Sequence, residues 1–252
     1  AILHYLWRRQ KMFRRSGFGF LLSLMFVLFT YTSAVADTPV FNSKDGKWYA
    51  SINAGITILN DIGFSAAGGR GWTATGAGTL EFDASASFGG ALGYVISDKI
   101  RTELELGYQQ FDFDKVTGGG TLTNTSDGST YVVAGEADIV GGITARNVLT
   151  NIILTPFGNK TLLGVSVTPM FGGGIGLVDW DSTISSVDTL TVVDAQESET
   201  DFLATAMVGL EYTNSQQVTW AIKYRHMWAD TGKDGLENSE ADNIVANLKI
   251  AF

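Results

Sequence analysis

Two carboxylates two residues apart, Glu103 and Glu105, and two cations two residues apart, Lys223 and Arg225, are the side chains best spaced for chemistry in this chain. On an extended strand, residues i and i+2 share a face. Arg101 and Gln109 continue the first set in the same parity. Glu211 and Lys249 hold matching positions in two further alternating stretches. Neighbouring carboxylates can divide general-acid and general-base roles. Mixed signs crowded into one narrow interior pair with each other instead, because an unpaired buried charge is costly. A lined ion path is a third arrangement. The spacing favours the paired, space-filling one, since one face of a strand supplies i and i+2 without any catalytic demand.

Other chemistry has less support. His226 is the one histidine besides His4. A histidine-based hydrolase needs a nucleophile within reach of its base, and two residues along the same strand face stands Trp228. Cysteine is absent, which excludes thiol catalysis and Cys-ligated metal. Asp179, Asp181, Asp188, Asp194, Glu197, Glu199 and Asp201 form an acidic segment, to which Glu237, Glu240 and Asp242 add. Carboxylates attract Ca²⁺ or Mg²⁺, which would bridge them to lipid phosphates, but no EF-hand spacing is present. A solvated anionic surface is the ordinary reading, and neither a resident metal nor a cofactor is expected. Gly118-Gly119-Gly120 lacks the GK[ST] and following helix of a phosphate cradle. Trp72 is the best candidate for stacking on a sugar.

The elements that must position the charges are strands. Eight alternating stretches are expected, at about 47–60, 80–97, 100–114, 145–157, 161–178, 201–213, 218–229 and 242–252. In the third, Ile100, Leu104, Leu106 and Tyr108 oppose Arg101, Glu103, Glu105 and Gln109. In the last, Ile244, Ala246, Leu248, Ile250 and Phe252 oppose Val245, Asn247, Lys249 and Ala251. In the second, Phe82 is assigned to the outward face. Stretches with one apolar face and one charged face suit lipid outside and a polar lumen inside. A soluble sandwich or lipocalin-like barrel would have to bury the apolar stripes, and its strands are typically shorter. Connections after the second, fourth and sixth strands read as tight turns. Those at 60–79, 115–144, 179–200 and 230–241 read as long loops. Gly172-Gly173-Gly174 suggests a bulge or bend. Trp48, Tyr94, Tyr108, Trp180, Tyr212, Trp220, Trp228 and Phe252 suit aromatic girdles at the two interfaces.

Before the strands, Arg14 and Arg15 precede an apolar run from Phe18 to Phe29 and the small-x-small site Ala34-Val35-Ala36. This is the pattern of a secretory signal peptide, with Met12 as the natural start. Residues 1–36 are therefore set apart from the fold, and 37–46 read as a lead-in. Five of the 17 basic residues and none of the 26 acidic ones lie in 1–36, which leaves −14 for the remainder. So acidic a chain lacks the basic footprint that nucleic acid requires.

Four segments carry a family resemblance: Trp48-Tyr49-Ala50-Ser51, the run from Thr168 to Gly176, Lys223-Tyr224-Arg225-His226, and the terminal Phe252. Over 47–252 the chain resembles the small OmpA-like, opacity and surface-antigen outer-membrane proteins. The resemblance implies an all-β fold, an eight-stranded antiparallel up-and-down transmembrane barrel with short turns and both termini in the periplasm. It implies Phe252 as the signal read by the barrel-assembly machinery, and no C-terminal peptidoglycan-binding domain. Expected partners are outer-membrane lipid and lipopolysaccharide, and the expected state is a monomer. The expected role is envelope integrity and surface presentation without enzymatic activity. A narrow pore and an adhesin for host or phage ligands are the alternatives.

Overall fold

The computed structural model describes residues 48–252, apart from 66–67, 70–71, 163–164, 188–189, 214–217 and 231–237. The signal segment, the 37–46 lead-in, Leu163, Asp188, Glu237 and the turn at 214–217 lie outside the described residues. So do the side chains of Trp72, Asp194 and Glu197.

Alternation of apolar and polar side chains builds strands, and the strands follow one another in an up-and-down path. They are β1 (Trp48–Leu59), β2 (Ile62–Ser65), β3 (Gly68–Gly69), β4 (Trp72–Phe82), β5 (Ser85–Ser97), β6 (Ile100–Asn124), β7 (Thr130–Leu154), β8 (Lys160–Leu162), β9 (Val165–Val187), β10 (Leu190–Thr213), β11 (Val218–Asp230) and β12 (Ser239–Ala251). Eight of them close a ring of antiparallel pairs in the order β1-β5-β6-β7-β9-β10-β11-β12. The ring closes where β12 returns to β1, from Tyr49↔Ala251 to Leu59↔Ala241. Closure leaves the ring without a free edge, which is what a sheet needs in order to stand in lipid.

The faces follow the sequence parity. Leu104, Leu106, Ile52, Ile175, Ile222 and Ile244 stand on the outside and are exposed, Leu106 by 59% and Ile222 by 65%. Arg101, Glu103 and Glu105 between them are buried. An outer wall this apolar requires an apolar solvent, so the fold is an eight-stranded transmembrane β-barrel.

Several expected details are corrected. The segments at 115–144 and 179–200 are strand over most of their length. β6 and β7 run on to a turn between Asn124 and Thr130, and β9 and β10 run on to Val187 and Leu190. Their Gly-, Thr- and Ser-rich composition reads as loop when taken alone. In place, each strand has a partner and an inward apolar series such as Val116, Ala137 and Ile139 to bury. Residues 60–79 hold β2, β3 and most of β4, and β4 pairs with the upper part of β6. The second expected strand is two strands, broken at Asp83-Ala84, with a register shift beside Phe82. That shift turns Phe82 inward, where it is buried. The fourth spanning strand ends at Leu154, and the connection after it carries the short hairpin of β8 with β9 rather than a tight turn. Gly172-Gly173-Gly174 makes no bulge, since both neighbouring registers pass through it without interruption. Trp180 belongs to the interior and not to a girdle.

The barrel thus has a turn end, holding Ser97 to Ile100, the start of β1 and the end of β12, and an extended end. Leu106→Arg should cost about 2–4 kcal/mol if Leu106 meets the middle of the bilayer. Ser126→Arg, in the exposed turn after β6, should stay within about 0.5 kcal/mol. Urea unfolding of the refolded protein in lipid vesicles measures both. A Leu106→Arg variant as stable as the wild type would contradict the lipid-facing assignment.

Candidate functional site

The interior between the two ends is where the charged residues meet. Its shape begins with small residues facing large ones. A Cβ added to Gly93 on β5 would lie 2.1 Å from Cζ of Tyr49 on β1, and one on Gly174 of β9 would lie 2.0 Å from Oδ1 of Asn151 on β7. Glycine on one wall is therefore what admits a phenol or an amide from the other.

Nearest the turn end, Arg101 on β6 donates to Glu211 Oε1 on β10 at 2.8 Å. Lys249 on β12 donates to the same oxygen at 2.6 Å and lies 3.5 Å from Glu103 Oε1. Tyr49 OH donates to Glu103 Oε1 at 2.8 Å, and its ring centre is 5.5 Å from the Lys249 ammonium. One residue pair further in, Arg225 on β11 reaches both oxygens of Glu105 at 2.7 and 2.8 Å. Asn151 and Asn53 also donate to Glu105, at 2.9 and 3.2 Å. Strands that are far apart in sequence thus meet across the lumen. Such pairing offsets part of the desolvation cost of burying these ions.

Six of the seven charged residues expected here stand in these two groups. Lys223 is the seventh. It is 1% exposed, and among the described residues its ammonium has no hydrogen-bond partner. This layer holds four cations (Arg101, Lys223, Arg225 and Lys249) and three carboxylates (Glu103, Glu105 and Glu211), so one positive charge exceeds the pairing. Gln109 stands further out, 4.0 Å from the Met227 sulfur.

Above the ions, toward the extended end, lies a layer that the sequence reading missed. Phe111, Leu149, Val178, Trp180, Leu203, Met227 and Leu59 form one buried apolar cluster, with Ile62, Leu80, Phe82 and Phe113 continuing it outward. Phe111 and Phe113 share the parity of Gln109, and Leu149 that of Asn151. That was the available signal: apolar residues on both faces of the same strands. A gap of about 20 Å³ lies within the cluster, enough for about one water molecule.

His226 stands on the outer wall. Its Nδ1 lies 2.7 Å from Asp242 Oδ1, to which Tyr224 OH also donates at 2.5 Å. The Trp228 ring meets the imidazole edge-on, with centroids 4.3 Å apart. Two residues on, where a nucleophile would stand, is an indole. In the acidic segment, Asp179 and Asp181 face Arg146 on β7, at 3.5 and 2.7 Å. Among the described residues, no group of three His, Cys, Asp or Glu side chains could hold a metal ion. Phe252 is exposed, and its amide donates to Trp48 O at 3.0 Å across the seam.

No family model and no curated sequence matches the chain. Solved structures do. Neisserial surface protein A is 14% identical, with a TM-score of 0.48, over 82% of this chain and 97% of that one. The N-terminal β-barrel domain of Pseudomonas aeruginosa OprF is 13% identical, with a TM-score of 0.37, over 81% and 98%. The outer membrane protease OmpT from Escherichia coli is 11% identical, with a TM-score of 0.43, over 87% and 99%. Likeness at this level concerns the fold alone.

The two kinds of lumen cation should respond differently to removal. Arg225→Met strands the Glu105 carboxylate in the interior and should cost about 3–5 kcal/mol. Lys223→Met removes a buried charge that no acceptor holds, and should be neutral or stabilising by up to about 1–4 kcal/mol. Urea unfolding in vesicles compares them, and equal losses would contradict the pairing described here.

Proposed function

We propose that this chain is a non-enzymatic barrel of the bacterial outer membrane, closed to ions, which supports the envelope and carries its extended strands outside the cell. The observation that carries this reading is the interior. Ion-paired side chains fill the half nearer the turns, with Tyr49, Glu103, Glu211 and Lys249 all almost fully buried. Packed Phe, Leu, Trp and Met side chains fill the half above. An ion would have to break the pairs and then cross an apolar constriction, a combination that dewets and blocks. Trp228 stands two residues from His226, where a serine nucleophile would be, and this reading gives His226 no catalytic role. The apolar outer wall supports a partnership with membrane lipid, lipopolysaccharide included. In this reading the barrel is a monomer, the turn end and both termini are periplasmic, and the barrel-assembly machinery reads Phe252.

Planar-bilayer recording with the refolded protein tests the closed lumen. Silent membranes after verified insertion are expected. Regular conductance steps would overturn the reading in favour of a narrow pore.

The assembly role has its own test. Phe252→Ser should leave export intact and lower the amount of heat-modifiable, folded barrel in the outer membrane. Wild-type levels in that variant would remove Phe252 from the assembly role.

A further inference from the structure

Above the closed ring, β6 and β7 reach further than their neighbours. β7 pairs with β6 as far as Thr130, but with β9 only from Leu154 to Ile139, opposite Val187. On its other side β6 carries β4 up to Trp72↔Asn124. β7 is therefore the last strand of a protruding sheet. Among the described residues, no strand lies beside Thr130 to Gly135 on the side away from β6.

Edge strands are normally blunted by charge, by proline or by brevity. Tyr131-Val132-Val133-Ala134 has neither charge nor proline, and its aromatic and β-branched residues favour strand pairing. Val132 is 68% exposed. The ladder fixes the direction of the amides. At the turn, the Asn124 amide donates to Ser129 O. Along an antiparallel register, alternate pairs exchange hydrogen bonds, here Leu122 with Tyr131 and Gly120 with Val133. Val132 and Ala134, between them, turn their N–H and C=O groups toward the open edge.

The foot of this edge is acidic. Lys115 pairs with Glu136, and Arg146, lower on β7, pairs with Asp179 and Asp181. Asp112, Asp114 and Asp138 on the same stretches have no ion pair among the described residues. Asp112 and Asp181 also line a hollow of about 940 Å³ in the wall just below, with room for long side chains.

We propose that the open edge of β7 takes up an extended cationic peptide as an added strand. Main-chain hydrogen bonds to Val132 and Ala134 supply the hold, and side chains set the choice of partner. Antiparallel pairing is the more stable kind, so the peptide runs upward from the foot. Its first residues then bring Lys or Arg to Asp138 and the carboxylates around it. Its later residues are β-branched and lie beside Tyr131 to Ala134. A second copy of this chain fits less well. Paired about a two-fold axis at Ala134, it would set Thr130 against Asp138 and Val132 against Glu136, and the carboxylates would find no cation. This inference goes beyond the proposed function, since the edge is the same whichever side of the membrane it faces.

Fluorescence anisotropy with the full chain folded in detergent tests the proposal. The probe is a short labelled peptide, acetylated and amidated, with lysines in its first half and alternating valine and threonine in its second. It should bind saturably, and its absence of binding overturns the proposal. A peptide with glutamate in place of lysine should bind at least about tenfold more weakly; equal binding overturns the charge selection. Two N-methylated forms, one for each set of alternate amides, address the backbone. One of them should lose about tenfold in affinity, and undiminished binding of both overturns the added strand. On the protein side, Val132→Pro removes an N–H of the open edge and leaves the β6 ladder intact. Asp138→Lys reverses an exposed charge at the foot. Each should weaken binding about tenfold, with folding checked by heat-modifiable migration. Wild-type affinity in Val132→Pro overturns the edge, and in Asp138→Lys the charge selection. Should Val132→Pro fail to fold, the N-methylated peptides put the same question to the wild type. Sedimentation of the chain without peptide should show a monomer. A dimer that Val132→Pro separates would assign the edge to a second copy and overturn the peptide.

Discussion

Every backbone amide and carbonyl in the membrane must find its partner within the protein, because hydrocarbon offers none. The β1–β12 seam meets that demand. Without it β1 and β12 would each present a row of unpaired groups to lipid, and the sheet would not survive there. Once the ring closes at eight strands, its interior is just wide enough for side chains to fill. The rest of the structure is a set of answers to that one constraint: how to fill a narrow tube whose wall cannot open.

The tube is filled by complementarity of size and then of charge. Tyr49 crosses to the space left by Gly93, and Asn151 to that left by Gly174. The carboxylates sit where cations from distant strands reach them. Arg101 and Glu211 are 110 residues apart, and Arg225 and Glu105 are 120 apart. Toward the extended end the filling changes to Phe111, Leu149, Val178 and Trp180. Apolar packing needs no partner of opposite sign.

Parity was legible wherever one face was purely apolar. The stretches 100–109, 201–212, 218–229 and 242–251 needed only alternation for their inside and outside to be read, and the charged lumen set followed from it. What alternation cannot supply is register. Phe82 reads as outward by counting back from Phe88, and the break at Asp83-Ala84 reverses it. Trp180 reads as interfacial because it is a tryptophan near an expected strand end. It is interior because β9 continues to Val187 and keeps its parity. The extensions of β6, β7, β9 and β10 are composed of Gly, Thr, Ser and acidic residues, whose strand preference depends on the neighbour they meet. The partners within the ion network were hidden for the same reason, since stagger around a closed ring decides which charge faces which. The excess of Lys223 over its acceptors appears only when those partners are counted.

The buried ions make better sense as a device for register than as a source of stability. Replacing a buried ion pair with well-packed apolar side chains is often neutral or stabilising, so their presence here needs another cause. A slip of one residue in β6 would carry Arg101, Glu103 and Glu105 into lipid and bring Leu104 and Leu106 inside. A slip in β11 would do the same to Lys223 and Arg225. A cation moved to the bilayer midplane costs about 2–4 kcal/mol, and a carboxylate less. Such a slip in β11 therefore costs about 4–8 kcal/mol, comparable with the lower half of a typical domain stability of about 5–15 kcal/mol. The apolar residues that the slip brings inside carry no charge into the hydrocarbon. Only the charged face penalises the wrong alignment strongly, and β6, β10, β11 and β12 each contribute at least one such residue. In a ring, fixing the stagger of these strands also constrains the sum of staggers that the remaining strands must complete. The charge network is thereby tied to the closure of the seam itself.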